Sequence, residues 1–213
     1  NSSSNLNNTS HTVGLVKGVS YVGGLIGQSD GTVGEVVYGT NTYTTFATNN
    51  VEGSGERVGG LVGFANSGSI RNASASGMVT GYTVGGTVNY AGTYSGGLVG
   101  LSSVPISYSK YVGTLVKAGH QTGGLVGQNG NSITDSFSTG EVQSNSSYVG
   151  GLVGWNNSNI TGSSATIGST TYATGNVTAT DRTGGLVGHS QGGTISNVYA
   201  TGVVTGTSYV GGL

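Results

Sequence analysis

Along this chain a leucine and a β-branched neighbour stand as an isolated apolar pair walled by glycine, and the arrangement keeps returning. It appears as "YVGGLIG", "RVGGLVG", "YSGGLVG", "QTGGLVG", "YVGGLVG" and "RTGGLVG", and once more as "YVGGL". The Gly-Gly pairs start at Gly23, Gly59, Gly96, Gly123, Gly150, Gly184 and Gly211, in steps of 36, 37, 27, 27, 34 and 27 residues. Three equal steps set a unit of 27 residues, and the longer steps are that unit with 9, 10 and 7 residues added. A fixed unit with occasional insertions is the sequence form of a solenoid, in which insertions become outward loops.

Other positions keep the same beat. Leucine follows the glycine pair at Leu25, Leu61, Leu98, Leu125, Leu152, Leu186 and Leu213. An isoleucine comes near the eleventh position, at Ile70, Ile106, Ile133 and Ile195. A glycine stands near the eighteenth, at Gly77, Gly113, Gly140, Gly175 and Gly202. Val79, Leu115, Val142, Val177 or Val204 follows it, with one residue of slack. Apolar residues this sparse do not make the i, i+3, i+4, i+7 stripe of a helix. They predict three short strands per unit: the Leu-Val pair, the run from Ile to Gly, and the Gly-x-Val stretch.

The expected fold is all-β, a parallel β-helix of about seven 27-residue coils. Identical positions stack about 4.8 Å apart, giving a rod of roughly 30–35 Å. "VGLVKGVSYV" from Val13 reads as the second half of an earlier unit, so the solenoid is expected over 13–213, behind a polar N-terminal tail at 1–12. The glycine pairs are expected to make sharp corners, because glycine accepts φ > 0, and to let neighbouring backbones approach closely.

Within each unit the Gly-Gly-Leu-Val-Gly string leads through a polar turn and an Ile to "YATG"-like and Gly-x-Val stretches. "YATGVVTG" (Tyr199–Gly206) and "YATGNV" (Tyr172–Val177) show them most plainly. This combination resembles the GLUG motif. Such repeats are found in filamentous-haemagglutinin-like adhesins and in non-catalytic regions of large bacterial surface proteins, IgA-cleaving metallopeptidases among them. The resemblance implies an extracellular, surface-attached β-helical scaffold. The His-Glu-x-x-His zinc motif of those peptidases does not occur here.

Composition narrows the remaining classes. Charged residues make up 6% of the 213, the net charge is −1, and glycine contributes 44. A single proline and no triplet glycine period exclude collagen. The spaced aliphatic residues exclude a disordered chain. The scattered Lys and Arg offer no electrostatic footprint for nucleic acid. No apolar run approaches the roughly 20 residues of a membrane-spanning helix. Without cysteine there is no disulfide.

Little chemistry is visible, and neither catalytic residues nor a cofactor is expected. His11, His120 and His189 fall at three different repeat positions, an arrangement that predicts surface residues and not a metal site. Asp135 and Glu141 share a unit without acidic neighbours in adjoining units and read as solvated charges, whereas a glycosidase needs a facing pair. Thr178, Thr180, Thr205 and Thr207 do not continue into the Thr-x-Thr ladder an ice-binding face would require. Sequons at Asn72, Asn145, Asn156, Asn159 and Asn176 are compatible with glycosylation.

The insertions hold the candidate binding residues. "TNTYTTFATNNVEGSGER" in unit 23–58 and "GYTVGGTVNYAGTY" in unit 59–95 both read as falling late in their units. They are expected to emerge side by side at one corner, bringing together Tyr43, Phe46, Tyr82, Tyr90 and Tyr94. Exposed aromatics among Asn and Thr suit a carbohydrate or a protein on a host or neighbouring cell, or else cover the rod's own flank. Trp155 occupies a position held elsewhere by Gln28, Phe64, Leu101, Gln128 and His189, variety that predicts an outward site. The expected function is therefore a structural or adhesive solenoid module on a microbial surface. A filament or sheath subunit is the alternative, since the bare strand at "YVGGL" is expected to stack on the rest of a longer array or on another copy.

Overall fold

A computed structural model describes residues 6–7, 10–11, 14–34, 36–38, 41–85, 87–163 and 170–213. These residues form a parallel β-helix. One uninterrupted coil shows its parts: Ile133–Thr134 in sheet A, Phe137–Ser138 in sheet B, Glu141–Ser144 in sheet C, Ser147–Gly150 in sheet D and Val153–Asn156 in sheet E. Sheets A to D have seven strands each and sheet E six, with neighbouring coils always adjacent in the strand order. Among the described residues there is no helix, and hence none long and apolar enough to cross a membrane.

Each coil thus has five short strands where three were expected. The run from Ile133 to Gly140 divides between sheets A and B, and the residues ahead of Gly-Gly form a sheet of their own. The breaks have a local cause. Asp135, between sheets A and B, has φ 46°, and Tyr148, within the sheet D strand Ser147–Gly150, has φ 62°. A left-handed residue turns the backbone out of its extended direction, so the run from Ile133 divides at Asp135 and the sheet D strand bends at Tyr148.

Register makes the interior. Ile70, Ile106, Ile133, Ile160 and Ile195 pair in succession, with Val33 before them and Leu6 before that. Val16, Val51, Val79, Val116, Val142, Val177 and Val204 form a second ladder. Leu115, expected on that ladder, pairs instead with Glu141 on the outer face. Leu61, Leu98, Leu125, Leu152 and Leu186 are fully buried, and each stacked aliphatic of this kind contributes about 1.5–3 kcal/mol. Leu6–Asn7 and Ser10–His11, within the segment read as a polar tail, join sheets A and B. Backbone pairing uses N–H and C=O groups that every residue except proline carries, so a polar sequence can supply a strand.

The glycine pairs are explained by space. A Cβ on Gly124 would lie 2.1 Å from the carbonyl oxygen of Gly151 in the next coil, and one on Gly97 would lie 2.2 Å from that of Gly124. On Gly123 it would lie 2.0 Å from the oxygen of Val126 in its own coil. None of these pairs has a positive φ. The left-handed geometry expected of them falls on the residue two before each pair: Tyr21, Arg57, Tyr94, Gln121, Tyr148, Arg182 and Tyr209, with φ between 44° and 62°. The close approach leaves Leu125 N–H bonded to Leu152 O at 2.8 Å and Leu98 N–H to Leu125 O at 2.9 Å.

Tyr111 is an exception inside the rod. Its register partners in sheet B are Ala75 and Ser138, yet it is fully buried. Its ring lies where Gly97, Gly113 and Gly140 leave room, and its hydroxyl shares its one proton between Gly77 O (3.0 Å) and Leu115 O (2.9 Å). Burial pushes its pKa well above the usual 10.0, against the smaller lowering influence of the Leu115 carbonyl contact.

Two outcomes follow. Gly124→Ala should lower unfolding free energy by about 3 kcal/mol, since the obstructing atom is backbone, whereas Gly119→Ala, whose nearest neighbour would be 3.4 Å away, should change it by less than about 0.5 kcal/mol. Urea unfolding measures both. A folded-state pKa raised above the unfolded value gives stability that is complete below that value and lost as pH rises past it. The contribution of Tyr111 should therefore be level up to about pH 10 and fall beyond it, and Tyr111→Phe should make the alkaline loss of stability shallower in an unfolding series.

Candidate functional site

With the interior filled by ladders, Tyr111 apart, the larger variation falls on outward positions and insertions. The first insertion leaves between sheet A (Val33–Gly34) and sheet B (Thr45–Ala47), and contains the antiparallel pair Val36–Tyr38 and Asn41–Tyr43. The second leaves between sheet C (Val79–Thr80) and sheet D (Ser95–Gly96), with Thr83–Val84 against Thr87–Val88. They occupy different corners and do not emerge side by side. The third, between Ile160–Thr161 and Tyr172–Ala173, shares the A/B corner with the first. The misplacement has a cause in the sequence. Gly34-Glu35-Val36 spells Gly-x-Val, but the strand in register with Val16 and Val79 is Asn50–Gly53.

The predicted binding aromatics are therefore dispersed. The side chain of Tyr43 lies outside the described residues. Phe46 is in sheet B, in register with Ser10 and Ser74. Tyr82, Tyr90 and Tyr94 do lie along the second insertion, but two of their rings are capped by lysine: Lys17 Nζ is 4.3 Å from the Tyr82 centroid and Lys117 Nζ 4.8 Å from that of Tyr90. Trp155 is half-buried in sheet E, its indole N–H bonded to Asn157 Oδ1 at 3.0 Å.

Trp155 instead belongs to a cluster that repeat positions do not reveal. Tyr148 stands 4.7 Å from Trp155, 5.3 Å from His189 and 4.8 Å from His120, all edge to face. Partial burial lowers the pKa of His120. The row of left-handed residues supplies the rest. Arg57 lies over Tyr21 at 4.6 Å, and Arg182 lies between Tyr148 (5.0 Å) and Tyr209 (5.1 Å). Each such contact is worth about 0.5–1 kcal/mol at an exposed site, offsetting part of the roughly 1–2 kcal/mol that left-handed geometry costs a non-glycine residue.

On the A/B corner the outward ladders form a different surface. Phe137, Tyr172 and Tyr199 stack at 4.6 and 5.0 Å with interplanar angles of 9° and 14°. Burial, and then the neighbouring Tyr199, raise the pKa of Tyr172. Beyond Phe137 the ladder drops to Lys110 and Ser74, and two residues upstream runs a parallel row of left-handed Asn72, Tyr108 and Asp135. These six residues, with Thr44 and Ala73, line a cleft of about 280 Å3. Asp135 is not merely a solvated charge. Its carboxylate accepts from Ser163 N–H at 2.9 Å and from the Thr170 hydroxyl, at the base of the third insertion. Partial burial pushes its pKa up, but these hydrogen bonds outweigh that and hold it below the ordinary carboxylate value. Glu141, by contrast, accepts from Gln143 Nε2 at 2.9 Å on sheet C.

Among the described residues no three of His, Asp or Glu come together as a metal site would need. Asn156 is fully buried and bonded to Asn129 at 2.8 Å, so that sequon is closed to a glycan. Tyr172→Ala removes both stacking neighbours at once and should cost about 1–3 kcal/mol in urea unfolding. The same change at Tyr82, on the opposite corner, should cost less than about 1 kcal/mol.

No curated protein and no solved structure matches this chain. A family model, "The GLUG motif", matches residues 54–89, 118–143, 145–171 and 179–205, which together make up just over half of the chain. The matched segments follow the repeating coil, each holding at least its strands in sheets D, E and A, and so the chain belongs to the GLUG-motif repeat family as a structural repeat module.

Proposed function

We propose that this solenoid is a non-catalytic extracellular segment of a microbial surface protein, a rigid stalk that carries its outward corners toward a partner. The observation that carries the reading is the separation of inside from outside. Every coil from Leu61 to Leu186 keeps the same buried leucine, while outward side chains change from coil to coil and the insertions open at the A/B and C/D corners. A chain selected to turn over a substrate would converge titratable groups on one place. Here Asp30 and Glu52 share one coil but lie between sheets E and A and on sheet C, Asp135 and Glu141 share another but lie at the A/B corner and on sheet C, and Asp181 stands on sheet D. A surface of few charges, on a fold with no disulfide to lose, suits a passive spacer whose strength is distributed along its length.

Membership of the GLUG family supports the surface location, because the repeats resemble those of adhesins and cell-surface proteins. The test is direct. Antibody raised against this segment should label intact, unpermeabilised cells that produce the full protein, and brief protease shaving should remove the signal. Labelling that appears only after lysis would overturn the extracellular assignment.

A further inference from the structure

We infer that the cleft on the A/B corner is a saccharide-binding site, sized for a mono- or disaccharide unit of a neutral glycan. The inference rests on the reading of the chain as an exposed scaffold, and it moves the binding function away from the tyrosines of the second insertion.

The cleft is a grid of three coils by two ladders. Its rows are Asn72 with Ser74, Tyr108 with Lys110, and Asp135 with Phe137. Outer rows are about 10 Å apart, two coil steps. The volume, about 280 Å3, lies at the lower edge of the range for small-molecule sites. The hollow exists because Ser74 is small where the ladder has Phe46 on one side and Lys110 and Phe137 beyond. Buried Ala73 lies in its floor, 2% exposed.

The walls have the chemistry of sugar recognition. Tyr172 covers one face of Phe137, so the other face is the one turned toward the coil of Lys110 and the cleft. Tyr108 is 53% exposed, with Arg71 over its ring at 5.2 Å on the side of the preceding coil. An aromatic face packs against the C–H face of a pyranose ring. Around these rings stand an amide, a hydroxyl, an ammonium and a carboxylate, which together donate and accept as sugar hydroxyls do. Ser163 N–H and Thr170 hold the carboxylate in place. Of the lining residues only Lys110 and Asp135 are charged and they offset one another, with the Arg71 guanidinium held against the Tyr108 ring outside the lining, which favours a neutral glycan over a strongly charged one.

The backbone argues against an extended peptide as the occupant. In a solenoid the N–H and C=O groups point along the rod, into the neighbouring coils. Asn72 N–H bonds Ser107 O (3.0 Å), Tyr108 N–H bonds Thr134 O (3.2 Å), Asp135 N–H bonds Thr161 O (3.2 Å) and Phe137 N–H bonds Ser109 O (3.1 Å). The corner therefore offers side chains and no free strand edge, and recognition by strand addition has nothing to pair with. A sugar requires only side chains.

The experiment uses the whole chain and printed oligomers of glucose, galactose, mannose and N-acetylglucosamine, followed by calorimetric titration of the best-retained oligosaccharide. Wild type should bind a neutral oligosaccharide. Tyr108→Asn, which suits the left-handed backbone (φ 51°) but removes the ring, should weaken binding by about tenfold or more. Ser74→Trp should fill the hollow and abolish binding. Tyr90→Ala, on the other corner, should leave it unchanged. Circular dichroism and urea midpoints close to wild type would show that each variant is folded. No retention at millimolar sugar, retention indifferent to Tyr108→Asn and Ser74→Trp, or capture of peptides in place of glycans would each overturn the inference. Surface labelling of intact cells by a chain that binds no glycan would sink this inference alone and leave the scaffold reading standing.

Discussion

The close stacking of one glycine on the next governs this structure. At Gly60, Gly97, Gly124, Gly151 and Gly185 a Cβ would lie 2.1 or 2.2 Å from the carbonyl oxygen of the same residue one coil further on. A methyl group there meets backbone, which cannot rotate away as a side chain can. Because the coils touch so closely at this line, the leucine that follows is carried into the interior at the same height each time. Its amide then bonds the leucine carbonyl of the next coil at 2.8–2.9 Å from Leu61 onward to Leu186. The remaining ladders inherit their register from that contact.

Tight contact at the glycine line displaces conformational strain to other residues. The turn into each glycine pair is made by Tyr, Arg or Gln in the left-handed region, and a second turn by Asn72, Tyr108, Asp135 and Asn197. Asn and Asp accept that geometry readily. Tyr and Arg do not, and their side chains offset part of the cost through ring and guanidinium contacts along the rod. Glycine would relieve the strain at these positions, but it would also remove those contacts. Chain flexibility lost in one place and side-chain adhesion gained in another are thus joined, coil by coil.

An inside defined by ladders leaves the outside free to vary. Ser74 can stand between Phe46 and Lys110, and an insertion can open between Thr161 and Tyr172, without disturbing the isoleucine ladder beneath. A cleft at the A/B corner therefore needs no special fold. It needs a small residue in a row of large ones, and polar side chains in the adjacent row. This is how a repeat scaffold acquires a site while its interior stays the same.

The chain's own periodicity determined the coil, its length, the leucine and isoleucine ladders and the membership of a repeat family, because identical spacing forces identical residues into one line. Ile160 and Val33 also stand at the eleventh position of their units and join the ladder, Val33 by a conservative exchange. Tertiary structure alone decided which corner each insertion leaves from. Gly34-Glu35-Val36 imitates the Gly-x-Val strand, and only pairing with Val16 and Val79 reveals Asn50–Gly53 in that place. It alone also brought His120, Tyr148, Trp155 and His189 together, and aligned Asn72, Tyr108 and Asp135 beside Ser74, Lys110 and Phe137. Outward contacts join residues one or two coils apart across loops of unequal length. Their meeting depends on inter-coil hydrogen bonding and on which positions turn left-handed, neither of which a count along the chain contains.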